Sequence, residues 1–240
     1  MRCCRERKII VWSLCLIFYL SYSILVCVSS RATHQCRQDQ RDALLEFKSE
    51  FHLSGMAANE KTRWMNNTDC CSWNGISCDP KTGNVVELNL LGSYLNGPLR
   101  SSSGLFRLEH LQSLDLSTND LSGILPDSIG NLRNLRVLRL FGCNFFGKIP
   151  SSLGNLSHLT HLDLDGNDFT DELPDSIGNL KKLTKLIISS SKLSGKFPHV
   201  ILNLSALTTI NLNSNQLEDQ LNSPSSLTHC IIGSSRLQYF

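Results

Sequence analysis

From residue 108 onward the apolar positions recur at a fixed interval. Leu108, Leu132, Leu156, Leu180 and Leu204 each stand 24 residues after the one before. Leu111, Leu135, Leu159, Leu183 and Leu207 form a second column, and Leu114, Leu138, Leu162, Leu186 and Ile210 a third. Leu116, Leu140, Leu164, Ile188 and Leu212 form a fourth. A polar column follows at Asn119, Cys143, Asn167, Ser191 and Asn215, then an apolar one at Leu121, Phe145, Phe169, Leu193 and Leu217. Pro126, Pro150, Pro174 and Pro198 close the unit. An earlier copy runs Val85, Leu88, Leu90, Ser93, Leu95, Gly97, and a degraded later one Leu227, Cys230, Ile232, Ser235, Leu237. Self-similarity at this period is the mark of a stacked repeat architecture.

In each Leu-x-Leu the two leucines point one way and their neighbours the other, as in an extended strand. One short strand per repeat, stacked on the next, predicts a parallel sheet advancing about 4.8 Å per repeat. The inward leucines then merge into a core that no single repeat could bury alone. The polar column falls where the chain turns away from the strand. An inward Asn amide there can satisfy backbone groups of its own and adjacent turns, with Cys143 and Ser191 supplying weaker versions of that bond. Cys143 therefore reads as a buried ladder residue, and Cys230, in a leucine column, as a small apolar core residue.

The chain begins differently. Residues 2–8 are basic, residues 9–28 are uncharged and mainly apolar, and Ser29, Ser30 and Ala32 follow. This layout predicts a cleaved secretory signal peptide over 1–30, with an uncleaved signal-anchor as the alternative, since about 20 apolar residues can span a bilayer. Either way the remainder faces the lumen or the cell exterior. No second apolar run of membrane length follows. The whole 240-residue chain carries a formal charge of +2. Arg2, Arg5, Arg7 and Lys8 against Glu6 give the leader +3, so the rest stands at −1. That near-neutral balance removes the electrostatic case for nucleic acid.

Four of the 10 cysteines, Cys3, Cys4, Cys15 and Cys27, lie in the leader. Cys36, Cys70, Cys71 and Cys78 precede the repeats and allow three pairings. Joining the neighbours Cys70 and Cys71 is geometrically poor, which leaves two. A zinc site needs ligand pairs at short spacing on both sides, and Cys36 stands alone.

The column set resembles the plant extracellular type of leucine-rich repeat, LxxLxxLxLxxNxLxGxIPxxLGN. The stretch LQSLDLSTNDLSGILPDSIGN at 111–131 carries nearly every element, and Leu121, Gly123 and Pro126 belong to the portion that marks the plant class. Gly147 and Gly195 keep its glycine, whereas Asp171 and Asp219 replace it, so an irregular second sheet is expected there. The helix-like DQRDALLEFKSEF, Trp64 and CCSWNGISC at 70–78 match the family's N-terminal cap. The resemblance covers roughly residues 36–237 and implies disulfides Cys36–Cys70 and Cys71–Cys78. The expected fold is α/β: a leucine-rich repeat solenoid with a curved parallel β-sheet on its concave face. Short helical or 3-10 turns lie on its convex face, behind a disulfide-bonded N-terminal cap. The expected segments are a signal peptide at 1–30, a cap at 31–81, and about six repeats with a truncated seventh at 82–240.

In such an array the inward columns are structural, so recognition falls to the outward strand residues. The concave-face candidates are Asp115, Arg139, Phe141, His161, Asp163, Asp165, Lys185, Asn211 and Asn213. Arg139 lies between Asp115 and Asp163 on neighbouring strands, which reads as a cross-strand charge ladder or as a recognition spot anchored by Phe141. His161, Asp163 and Asp165 alternate at about 6.6 Å, too spread for a tight metal site. His158 adds an HxxH spacing, but the two rings need not face together. Sequons at Asn66, Asn155 and Asn203 predict glycosylation, the last two from one repeat column and on the side away from the strands. There is no GxSxG elbow, phosphate-cradling glycine loop or HExxH, so neither an enzyme nor a cofactor is expected.

The family resemblance implies a non-catalytic recognition module. It looks like the N-terminal part of a receptor-like protein, binding protein or peptide ligands in plant defence or development, with a co-receptor kinase as a further partner. A secreted inhibitor of a pathogen enzyme, similar to the polygalacturonase inhibitors, is the alternative. The expected location is the cell surface or apoplast, with membrane attachment only through an uncleaved leader or a missing C-terminal segment. Lacking a closing cap, the last repeat reads as the end of a fragment or as an edge buried against a partner.

Overall fold

The structure is a computed structural model and describes residues 35–53, 64–196, 199–218 and 229–231. The leader, Pro198, Asp219 and the degraded last repeat beyond its strand lie outside the described residues. A helix α1 (Gln38–Ser49) and strands β1 (His52–Leu53) and β2 (Ile76–Cys78) form the cap. The strands then run β3 (Val85–Asn89), β4 (Leu95–Asn96), β5 (Ser113–Asp115), β6 (Gly123–Ile124) and β7 (Val137–Arg139). They continue as β8 (Phe145–Lys148), β9 (His161–Asp163), β10 (Asp168–Thr170), β11 (Lys185–Ile187), β12 (Thr209–Asn211) and β13 (His229–Ile231). Among the described residues no helix is long and apolar enough to cross a membrane.

The Leu-x-Leu strands β3, β5, β7, β9, β11, β12 and β13 pair in parallel and in chain order, and β2 joins β3 antiparallel at the N-terminal edge. Equivalent leucines lie opposite one another: Leu88, Leu114, Leu138, Leu162, Leu186, Ile210 and Cys230 share one register. All four leucine columns from Leu108 to Leu212 are buried. Single 3-10 turns at Asp127–Asn131, Ser151–Asn155 and Asp175–Asn179 each begin just after a proline, Pro126, Pro150 and Pro174. The fixed proline φ suits that entry, and its missing N–H would have no partner there.

The cap covers the first coil. Helix α1 buries Ala43, Leu44 and Phe47 and packs on the 3-10 turn Gly104–Arg107. A Cβ at Gly104 would sit 2.2 Å from the Ala43 carbonyl oxygen, so only glycine permits this approach. Buried Gln40 ties the helix to the sheet, donating to Asn84 Oδ1 and accepting from the Val85 N–H. Trp64 stacks on Trp73 with centroids 5.3 Å apart, and each indole N–H finds an oxygen, Asn74 O and Thr68 Oγ1 respectively. The disulfides are Cys36–Cys70 and Cys71–Cys78, the pairing that the family resemblance implies.

The polar column works as a ladder. Asn167 Oδ1 accepts from the N–H groups of Cys143 and Phe145, while its Nδ2 donates to the carbonyls of Leu140 and Leu164. Asn119 and Asn215 likewise donate to two carbonyls each, and each accepts from one N–H, that of Leu95 and of Leu193 respectively. Cys143 supplies the weaker version, its Sγ lying 3.1 Å from the Leu116 carbonyl. Ser191 does not: its hydroxyl is buried without a partner. Serine's Cβ–Oγ bond is shorter than the Cβ–Sγ bond of cysteine, and its hydroxyl falls short of the carbonyls that the Asn amide spans.

A second, shorter sheet stacks β6, β8 and β10 in parallel on one flank. The short sheet ends at β10, just before Asp171, yet backbone bonds continue past it. Asp171 takes φ +64, as Gly147 takes +76 and Gly195 takes +74, and the Ser194 N–H donates to its carbonyl. Aspartate tolerates this left-handed conformation better than most residues do, so the ladder runs on.

Candidate functional site

Strand register lays the outward residues out as a grid. One row reads Glu87, Ser113, Val137, His161, Lys185 and Thr209, the next Asn89, Asp115, Arg139, Asp163, Ile187 and Asn211. Just past the strand ends come Leu91, Ser117, Phe141, Asp165, Ser189 and Asn213. The fold thus brings the candidates at 115, 139, 161, 163 and 185 onto adjacent strands of one face.

The middle row has a structural task that the sequence reading did not see. At its strand end the side chain folds back to accept the N–H two residues on, an Asx turn. Asn89 does this for Leu91, Asp115 for Ser117, Asp163 for Asp165 and Asn211 for Asn213. Asp115 is spent on it: the residue is only 7% exposed and sits 3.8 Å from Arg139 Nη1. Asp115 is therefore corrected from a ligand contact to a positioning group beneath Arg139. Asp163 and Asn211 stay half-buried and reachable.

Arg139 and Phe141 occur where the Asx column is interrupted, and both are exposed. The Phe141 N–H is held instead by Ser117 Oγ, and its carbonyl accepts from the Thr118 N–H. Its ring lies over Gly166, where a Cβ would stand 3.3 Å from the ring edge. On the other side a polar chain crosses three strands: Asn211 Nδ2 donates to Ser189 Oγ, which donates to Asp165 Oδ1. Burial pushes the Asp163 carboxyl above the usual carboxylate range, and the Asp165 charge adds to this against the bond from the Asp165 N–H. Burial lowers the His161 imidazole, and the Arg139 and Lys185 charges push the same way. His158 Nδ1 lies near the Arg133 carbonyl and His161 Nδ1 near Thr160 Oγ1, so the two rings do not face together.

Two features escaped the sequence reading. A cleft of about 520 Å³ opens between cap and first coil, lined by Phe47, Trp64, Ile76, Glu87, Asn89 and Leu91, among others. A shallower depression lies beside Phe141, lined by Tyr94, Asn96, Thr118, Asp120 and Asn144. Its signal in the sequence is the interval of 24 that separates Asn96, Asp120 and Asn144, next to the polar column. The sequons fall where accessibility allows modification: Asn66 is exposed in the cap, and exposed Asn155 and Asn203 each end a 3-10 turn.

The leucine-rich repeat region model matches residues 102–230 and the leucine rich repeat N-terminal domain model residues 37–79. Receptor-like protein 50 of Arabidopsis thaliana is 63% identical over 150 residues, 60% of this chain and 16% of that protein. The chain thus spans about one-sixth of the length of this relative. The structure of a pollen receptor kinase 3 superposes with a TM-score of 0.71 at 26% identity, covering 82% of this chain and 95% of that one. The plant peptide hormone receptor RGFR1, solved in complex with RGF2, superposes with a TM-score of 0.61 at 29% identity, covering 70% of this chain and 29% of that one. Stacked coils, an asparagine ladder, a disulfide-bonded cap and these matches place the chain in the leucine-rich repeat family, similar to the N-terminal part of plant receptor-like proteins.

Proposed function

We propose that the chain is an extracellular, non-catalytic recognition module that binds a peptide or protein ligand on the outward face of its long sheet. The observation that carries this is the division of labour in each coil. Every inward column is consumed by the core and the ladder. The outward face instead presents Arg139 and Lys185 on strands, with Phe141 and Asp165 just past the strand ends, a mixture suited to reading side chains. The peptide hormone receptor among its structural neighbours supports a peptide as ligand. Two disulfides suit an oxidising compartment and a cell-surface or apoplast location. A co-receptor kinase would complete a signalling assembly around the bound ligand. Glycans on Asn155 and Asn203 would leave the strand face uncovered.

Binding of the secreted full chain to a panel of plant peptides, followed by Arg139→Glu, Phe141→Ala and Lys185→Glu, tests this reading. Each is expected to lower affinity about tenfold or more while the fold persists. Ligands that bind all three variants as tightly as the parent would place recognition elsewhere. Treatment with a glycosidase should shift the gel band, and loss of that shift in Asn155→Gln, Asn203→Gln chains would locate the sugars.

A further inference from the structure

Beside the strand face, where each coil passes from the long sheet to the short one, the depression beside Phe141 has a composition of which the proposed function uses Phe141 alone. Its rim carries two large exposed rings, Tyr94 at 59% and Phe141 at 42% exposure. Between them sits Asp120. Its two carboxylate oxygens are each held by an amide, Oδ2 by Asn96 Nδ2 at 2.9 Å and Oδ1 by Asn144 Nδ2 at 3.0 Å. Amides orient a carboxylate without neutralising it, and among the described residues no basic side chain forms an ion pair with Asp120. Tyr94 holds φ +56, a conformation that a bulky residue adopts at a cost and that glycine would adopt freely. Phe141 is held in place by its backbone bonds to Ser117 and Thr118.

We infer that the depression lined by Tyr94, Asp120 and Phe141 is a subsite for a basic side chain, an arginine or lysine, of a bound peptide. The ring faces attract a cation through their quadrupoles, and the fixed carboxylate accepts its N–H groups with charge-assisted hydrogen bonds. Asn96 and Asn144 act as positioning residues: they set the carboxylate plane before the ligand arrives, so less ordering is needed on binding. The subsite rests on the peptide reading given above and adds to it the identity of one anchor.

Selection of a random displayed peptide library on the full secreted chain tests it. The expected result is enrichment of Arg or Lys at one position of the retained peptides. Replacing that residue by citrulline or Gln, or the protein's Asp120→Asn, should weaken binding about tenfold. Tyr94→Ala and Phe141→Ala should each weaken it as well, while Lys181→Gln, remote on a turn, should leave it unchanged. Unaltered melting of the variants separates lost binding from lost folding. Peptides retained without a basic preference, or held equally by Asp120→Asn, would overturn the subsite and leave the peptide reading intact. Retention of no peptide at all would overturn the subsite together with the peptide reading on which it rests.

Discussion

Removal of the Asn167 side chain is the most demanding test of the ladder. The residue is 4% exposed, and its amide serves four backbone groups of two coils at 2.8 to 3.1 Å, with a further branch to Asp165 O at 3.1 Å. In Asn167→Ala the N–H groups of Cys143 and Phe145 lose their acceptor inside a dry core. A buried donor left unmade costs about 1–3 kcal/mol. Two such donors, with partial relief from water entering the small cavity, put the loss at about 3–5 kcal/mol. The column supplies its own controls. Cys143→Ala removes two weak Sγ bonds, to the Leu116 and Phe141 carbonyls, and should cost about 1 kcal/mol. Ser191→Ala removes a hydroxyl that has no partner and should be neutral or slightly stabilising, whereas Ser191→Asn should restore the bonds and add about 1 kcal/mol. Urea unfolding gives the ranking, and amide hydrogen exchange locates it, because a repeat array need not melt as one unit. Asn167→Ala should release the Cys143 and Phe145 amides first. An Asn167→Ala chain within about 1 kcal/mol of the parent, or a Ser191→Ala chain equally damaged, would refute the ladder argument.

Other consequences are open to simpler measurements. Gly104→Ala drives a methyl into the Ala43 carbonyl and should lower stability by about 3 kcal/mol or more through undocking of α1, and an unchanged melting temperature would contradict the close approach. Burial pushes the Cys143 thiol up to about 12, so it should resist alkylating reagents in the native chain and react only on unfolding; rapid native labelling of Cys143 would show that it is not a core residue. The His161 imidazole is lowered in the fold, so the folded state binds its proton less readily than the unfolded chain does. Its contribution is therefore present above the unfolded value, about 6.5, and is lost as pH falls below it. His161→Gln should flatten that part of the melting-temperature profile, and an unchanged slope would assign it to other groups.

The amino-acid sequence by itself determined the stacking. Its interval of 24, its inward leucines and its asparagine column are each a local statement about one coil, and copying the coil multiplies the signal. The cap was legible for the same reason, since its cysteines, tryptophans and amphipathic run occur within a short stretch. What the tertiary structure decided lies between coils. That Asp115 is buried beneath Arg139 depends on a strand 24 residues away, and that Ser191 is orphaned depends on reach across a turn. The Asn96–Asp120–Asn144 clamp joins three coils, the first of which is two residues longer than its successors, with Leu88 opposite Leu114. Periodicity names which residues share a column, because the backbone repeats. It does not say which side chains meet across columns, because that depends on side-chain length, strand register and the geometry of the turns, which only the packed coils bring into being.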